Sequence, residues 1–226
     1  MGEFGLMKLA CLKSLLFLSV LCFAHSSEEG YPPEWWAPVD PTDAPSWEIL
    51  PQDAGPGEVI LSKRTELGIF SNFAATEFLF EDFTYASVEG FWQMMKYPDS
   101  LLRKDPRKNP KYEWDYSRLE VAALSGFVAK DAGNAGSRVM TDLDINWVSY
   151  KGKKMPYRTS EKGEHYDLIR KAMRAKLDQH EEIKNLLIKT GDLVLRPDHD
   201  QGANPPPAWE YFKIWMEFRS ELLATH

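Results

Sequence analysis

Gly68-Ile-Phe-Ser-Asn-Phe-Ala-Ala75 and, shortly after, Ser87-Val-Glu-Gly-Phe-Trp-Gln-Met-Met-Lys-Tyr97 set Asn72, Glu89, Gln93 and Lys96 among aromatic and apolar neighbours. A buried amide or carboxylate left without a partner costs about 1–3 kcal/mol, so such a cluster is either a paired network or a site. The second stretch reads as a helix that Ser87 caps and Pro98 stops. Glu89, Gln93, Lys96 and Tyr97 then fall on one face, at i, i+4, i+7 and i+8. A surface stripe with a helical Glu-to-Gln hydrogen bond has the same spacing, so both readings stand at this point.

Around this pair the chain reads as short strands followed by mostly helices. Glu58-Val-Ile-Leu-Ser62, Glu77-Phe-Leu-Phe80 and Phe83-Thr-Tyr85 have strand character, with Glu81-Asp82 as a tight turn. Helices are expected over Ser117 to Lys130, with Leu119, Ala122, Ala123 and Phe127 at helical spacing, and over Glu164 to Leu177, with Leu168, Ile169, Ala172 and Met173. A further helix runs from Glu181 to Thr190 and ends at Gly191, and Pro207 opens the last one, through Leu223. Their aromatic and Met positions read as core; Trp92 is assigned to the core for the same reason. The Val148 to Gly163 segment carries Lys151 to Lys154, either as a basic hairpin that contacts an anionic substrate or, by the better prior, as an exposed loop.

The front of the chain is organised differently. Residues 1–6 read as an expression scar or misplaced start. Residues 7–26 carry Lys8 and Lys13 before an apolar run to Ala24, the pattern of a secretory signal, and the run is shorter than the roughly 20 residues of a membrane span. Both cysteines, Cys11 and Cys22, lie in that segment. The expected mature chain is therefore exported, to the periplasm or the outside, without a disulfide, a thiol nucleophile, a Cys-ligated metal or a stable membrane span. Residues 27–57 are rich in proline and hold Trp35, Trp36 and Trp47; this reads as an extended arm of polyproline character whose tryptophans dock on the domain at 58–226.

A hydrophobic share of 43% is that of a globular protein, and a net charge of -7 argues against bulk nucleic-acid binding, which draws on Lys and Arg. The basic run Arg103 to Lys108 with Lys111 reads as a solvated loop. The five histidines show no ligand spacing, Asp198-His199-Asp200 is too compact for one ion, and no P-loop, dinucleotide fingerprint or serine elbow occurs. No cofactor or metal is expected.

Phe70-Ser71-Asn72-Phe73-Ala74 followed by Ser87-x-Glu89-x-x-x-Gln93-x-x-Lys96-Tyr97 resembles the opening of the NADAR superfamily, which includes the YbiA-like N-glycosidases. Met173-Arg174-Ala175-Lys176-Leu177-Asp178-Gln179-His180, then Leu186-Leu187-Ile188-Lys189-Thr190-Gly191-Asp192, is similar to that family's second block, and Met216-Glu217-Phe218-Arg219 to its close. The resemblance spans roughly Val59 to Leu223 and implies an α+β fold, a mainly helical single domain with a short β-sheet. Two departures stand out. Gly90 replaces a usual His, and Arg196-Pro-Asp-His-Asp-Gln-Gly-Ala-Asn-Pro-Pro-Pro-Ala-Trp209 replaces a segment with Asp-x-x-Trp-Gly; both fit either a divergent subfamily or a chain that has lost activity.

The activity implied by the resemblance is hydrolysis of an N-glycosidic bond of a ribosyl or ADP-ribosyl substrate. That chemistry needs an anion near the ribose and a proton donor for the leaving nitrogen. The resemblance points to Glu89 as the carboxylate and to Lys96 or Lys176 as an amine that adds to the sugar carbon, a choice the sequence leaves open. His199 is a candidate proton donor, since histidine titrates near neutral pH. Asn72, Phe73, Gln93, Trp147, Asp198 and Asp200 are the candidates for substrate binding. Asn146-Trp147 matches a family Trp position. Two classes stay open: the hydrolase, favoured by Glu89, Lys96 and Lys176 occurring together, and a non-catalytic binder of a nucleotide-like ligand, favoured by the altered 198–209 segment. A protein acting through its Trp-rich arm is a third.

Overall fold

A computed structural model describes residues 30–225. The segment expected to be a secretory signal, with both cysteines, lies outside the described residues.

The strands form three separate pairs instead of one sheet. Strand β1 (Glu58–Ile60) runs parallel to β6 (Val194–Arg196), with Val59 opposite Leu195. The hairpin β2 (Phe78–Phe80) and β3 (Phe83–Tyr85) turns on Glu81 and Asp82, both at positive φ, as a two-residue hairpin loop that follows the strand twist requires. Neither is a glycine, and Glu81 is tied to Lys151 at 2.9 Å. That lysine opens the matching turn of the second hairpin, β4 (Trp147–Tyr150) and β5 (Lys153–Pro156), where Gly152 takes φ +77°. The stretch expected as an exposed loop is thus a hairpin, and Lys151 and Lys153 are engaged by Glu81 and Glu164.

Among the described residues, six α-helices supply most of the core. Helix α1 (Val88–Met94) is capped by Ser87, whose Oγ accepts from the Gly90 N–H at 2.9 Å and donates to the Leu124 carbonyl at 2.8 Å. The helix expected over Ser117 to Lys130 is two: α2 (Arg118–Ala122), closed by a capping box between Ser117 and Glu120, and α3 (Gly126–Asp142). The break has a tertiary cause. The Gly126 N–H donates to the Phe73 carbonyl at 3.0 Å, and the Ala122 and Leu124 carbonyls are taken by Ala86 and Ser87. Leu119 and Phe127, read as core, are 62% and 51% exposed.

Helices α4 (Glu164–Gln179) and α5 (Glu181–Lys189) follow as expected, while Pro207–Trp209 is only a 3-10 turn and α6 (Tyr211–Ala224) begins beyond it. The basic run is not wholly solvated. Arg107 is buried and bonds Asp105, the Met95 carbonyl and Ser149 Oγ, pinning the end of α1 to β4. Among the described residues no helix is long and apolar enough to cross a membrane.

The arm docks, and by 3-10 turns (Pro33–Trp36, Pro41–Asp43, Pro51–Asp53) more than by a continuous extended path. Trp35 and Trp36 join the core; their ring N–H groups donate to Glu66 Oε1 (2.8 Å) and the Glu58 carbonyl (2.9 Å). Tyr31 donates to Asp192 Oδ1 at 2.6 Å, directly after Gly191, which ends α5 at φ +54°. A Cβ on Gly191 would lie 2.2 Å from the Tyr31 hydroxyl. Gly191→Ala is therefore expected to cost about 1–2 kcal/mol in urea unfolding, from left-handed strain plus displacement of Tyr31.

Candidate functional site

The polar face of α1 is buried, which settles the first ambiguity of the sequence. Glu89, Gln93 and Lys96 are each more than nine-tenths covered. Gln93 Nε2 donates to Glu89 Oε1 at 2.6 Å, and the Glu89 N–H donates to the Asn72 carbonyl at 2.8 Å, so the two stretches quoted at the opening meet at one point in space. Lys96 Nζ donates to Ser137 Oγ (2.9 Å) and the Gly133 carbonyl (3.3 Å) and lies 5.5 Å from the centre of the Tyr157 ring.

Burial governs the protonation of both ionisable groups. It pushes the Glu89 carboxyl above its ordinary value, against the Gln93 hydrogen bond and the nearby Lys96, Lys130 and His199. It pushes Lys96 below its ordinary value, against Tyr157 and Glu89. Desolvation disfavours the charged form of each. For Glu89 this favours a proton donor over the anion expected from the sequence.

Six buried side-chain polar atoms have no hydrogen-bond partner among the described residues, and Asn72 Oδ1 and Gln93 Oε1 are two of them. Buried polar atoms are nearly always paired, so these two amide oxygens, on residues that bond Glu89 through other atoms, stand out as unsatisfied acceptors.

Helix α3 makes the close approach possible. Ala129, Ala132, Gly133, Gly136 and Met140 form its buried stripe. A Cβ on Gly133 would stand 1.8 Å from Gln93 Oε1, and one on Gly136 would stand 2.9 Å from Lys96 Cβ. Gly133→Ala is expected to lower stability by about 1–3 kcal/mol through overpacking, and Gln93→Ala in the same chain to recover most of it; thermal unfolding of the single and double variants measures this. On the other side of α1, a Cβ on Gly90 would lie 2.3 Å from the Leu124 carbonyl, so no larger side chain fits at this position.

Lys176 is placed differently. Its side chain on α4 is fully buried, donates to the Ile69 carbonyl at 2.7 Å, and is pushed down to about 7 by burial. Ile69 stands three residues before Asn72, so the lysine abuts the same loop.

The 198–209 segment contributes unevenly. Asp198 is buried and binds Lys63 and the His199 ring, whose Nδ1 lies 2.9 Å away; these bonds outweigh desolvation and hold its pKa below the ordinary carboxylate value. His199 itself is partly exposed, within electrostatic reach of Glu89. Asp200 accepts from the Gly202 N–H at 2.8 Å and shapes the loop. Phe73 faces Phe127 at 5.2 Å. Trp147 is already occupied: the Arg107 guanidinium and the Lys154 ammonium lie 4.7 and 4.1 Å from its ring centre, leaving it a structural partner of the Arg107 pin.

Four neighbours were not legible from sequence: Lys63, Ser137, Tyr157 and His165. His165 is buried against Trp92 and Tyr157, at 4.8 and 5.3 Å between ring centres, and burial with Lys96 nearby pushes it down to about 4, so it is neutral. The spacing of Ala129, Ala132, Gly133 and Gly136 on α3 is the sequence signal from which this wall could have been found.

No protein-family model matches the chain. Among curated relatives, N-glycosidase YbiA of Shigella flexneri serotype 5b (strain 8401) is 28% identical over 167 residues, covering 71% of this chain and 85% of the relative. N-glycosidase YbiA of Escherichia coli (strain K12) is 29% identical over 134 residues, covering 59% of this chain and 64% of that one. The NMR structure of the E. coli protein YbiA overlays with a TM-score of 0.46 at 23% identity, over 74% of this chain and 86% of the other. In sequence, then, this chain is similar to curated proteins named N-glycosidase YbiA over 71% of its length.

Proposed function

We propose that this protein hydrolyses the N-glycosidic bond of a ribosyl or ADP-ribosyl substrate. The observation that carries the reading is the buried Glu89 carboxyl, raised by desolvation and bonded to Gln93, beside a buried amine and unpaired amide oxygens. Curated relatives bearing the name N-glycosidase support the reaction class. In this scheme Glu89, held by Gln93, gives its proton to the leaving nitrogen as the C1–N bond breaks, Asn72 accepts from a ribose hydroxyl, and water delivers hydroxide to C1 and returns a proton to Glu89.

A lysine route uses the same acid. The amine displaces the nitrogen at C1, the ribosyl adduct opens to an imine as the ring oxygen takes a proton, and water then releases the free sugar and the amine. Lys176, with its pKa near neutrality, is the better-prepared amine. With export taken from the N-terminal segment, an ADP-ribosylated molecule or a ribosyl nucleotide met outside the cytoplasm fits as substrate.

The test is mass-spectrometric detection of free ribose phosphate or ADP-ribose after incubation with a panel of ribosyl and ADP-ribosyl N-glycosides. Release by the wild type and its loss in Glu89→Gln support the proposal. Silence across the panel with nucleotide binding retained moves the reading to a non-catalytic binder.

A further inference from the structure

We propose that the cleft beside the Glu89 site receives the planar heterocycle of a nucleotide-like substrate, and that Trp47 of the N-terminal arm completes its wall. The heterocycle's identity as a leaving group rests on the N-glycosidase reading; the geometry of the cleft does not use Glu89.

The cleft has a volume of about 350 Å³ and is lined by Lys63, Gly68, Ile69, Phe73, Gly126 and Phe127 among others. This is the size range of small-molecule sites. It adjoins the candidate chemistry on two sides, since Phe73 follows Asn72 and the Ile69 carbonyl holds Lys176.

Its walls suit a flat ring. Phe73 and Phe127 meet edge to face at 5.2 Å, and Trp47 meets Phe127 at 6.0 Å and 62°. Trp47 and Phe127 are 45% and 51% exposed. One exposed aromatic is ordinary, but two that converge on a concave opening form a stacking surface without a guest. Gly68 packs directly on the backbone of the Lys63 segment, where a Cβ would stand 2.7 Å from Lys63 Cα, and this holds the floor of the cleft in place.

Charge narrows the guest further. Lys63 Nζ sits 5.8 Å from the Trp47 ring centre and 5.2 Å from that of Phe73, and Lys130 is exposed one helical turn after Phe127. Lys63 is ion-paired with Asp198, so the exposed Lys130 is the cation left to meet an anionic group on the ring, which describes a nucleotide better than a free base or an apolar peptide.

Trp47 is fixed in position by its neighbours. Glu48 makes two 2.8 Å bonds to Arg64, Arg64 donates to the Asp43 carbonyl at 2.9 Å, and the Ile49 N–H donates to the Asp198 carbonyl at 2.8 Å. A backbone bridge pairs Glu48 with His199. The arm is thus stitched to the segment that carries Asp198 and His199, and Trp47 is held at the rim whether or not a ligand is present.

The test is isothermal titration of the chain with adenosine 5′-monophosphate, guanosine 5′-monophosphate and ribose 5-phosphate, in wild type, Trp47→Ala, Trp47→Phe and Glu89→Gln. Expected is tighter binding of at least one nucleotide than of ribose 5-phosphate, an affinity loss of at least tenfold in Trp47→Ala, recovery in Trp47→Phe, and no change for ribose 5-phosphate in either. Equal binding of all three probes by the wild type, or an unchanged nucleotide affinity in Trp47→Ala with its melting temperature preserved, overturns the proposal. The two readings separate cleanly. Trp47-dependent nucleotide binding without any hydrolysis sinks the N-glycosidase reading alone, and Glu89-dependent hydrolysis indifferent to Trp47→Ala sinks the stacking subsite alone.

Discussion

Glu89→Gln is expected to reduce N-glycoside hydrolysis about a thousandfold while leaving the protein folded. The amide has the shape of the acid and still accepts from Gln93 Nε2 at the same position, so packing around α1 is kept. What it lacks is the transferable proton, and positioned acid–base groups contribute about 10²–10⁴ to rate. The sign of the stability change separates this from unfolding. Burial raises the native pKa of Glu89 above its unfolded value, so the native state holds a proton that the unfolded chain gives up as pH rises past the ordinary carboxylate range. Stability associated with this group is present below the unfolded pKa and is lost as pH rises through the native one. Glu89→Gln removes that loss, so calorimetry at pH 7 should show a melting temperature no lower than the wild type's. In the wild type the rate should fall on the alkaline side as Glu89 loses its proton, and this limb should vanish from the residual activity of the variant. A variant with undiminished turnover would remove Glu89 from the chemistry.

How far this site was legible depended on whether its cause was local. The Ser87 cap, the Glu89–Gln93 spacing, the turn at Glu81-Asp82 and the glycine that ends α5 are set by neighbours in sequence, and each appears where the pattern places it. The break between α2 and α3 was hidden because the Gly126 N–H, which a continuing helix would use, goes to Phe73, a residue distant in sequence. Composition suggested that the Arg103 to Lys108 run was solvent-facing, yet Arg107 is buried by partners on three separate segments, and that same pin draws in Trp147. The face of Lys176 was readable from helical period, but its protonation was not. That depends on the absence of any charged partner among the groups that shift it, a property of the assembled core.

Lys176→Met is expected to stabilise the protein at pH 7 by about 2–3 kcal/mol and to abolish any covalent sugar adduct. A drop from 10.5 to about 7 corresponds to roughly 5 kcal/mol of preference for the neutral amine. Set against it is the Ile69 carbonyl, which loses its 2.7 Å donor in the variant at a cost of about 1–3 kcal/mol. Methionine fills nearly the same volume, so packing changes little. The pH dependence fixes the sign. Between about pH 7 and 10.5 the unfolded chain binds a proton at this lysine that the native state does not, so wild-type stability rises with pH across that window and its deficit against Lys176→Met closes toward pH 10.5. Denaturant unfolding at pH 7 and pH 10 measures this, and a stability difference independent of pH would mean that Lys176 is not held neutral. A lysine that costs the fold stability and is substantially deprotonated at neutral pH is prepared for addition to a sugar carbon, the pattern by which perturbed groups mark function. Borohydride reduction during turnover should leave a ribosyl mass increment on the peptide containing Lys176 in the wild type, and none in Lys176→Met. An increment on the Lys96 peptide instead, with turnover kept in Lys176→Met, would transfer the nucleophile to α1 and leave Lys176 as the tie between α4 and the Ile69 loop.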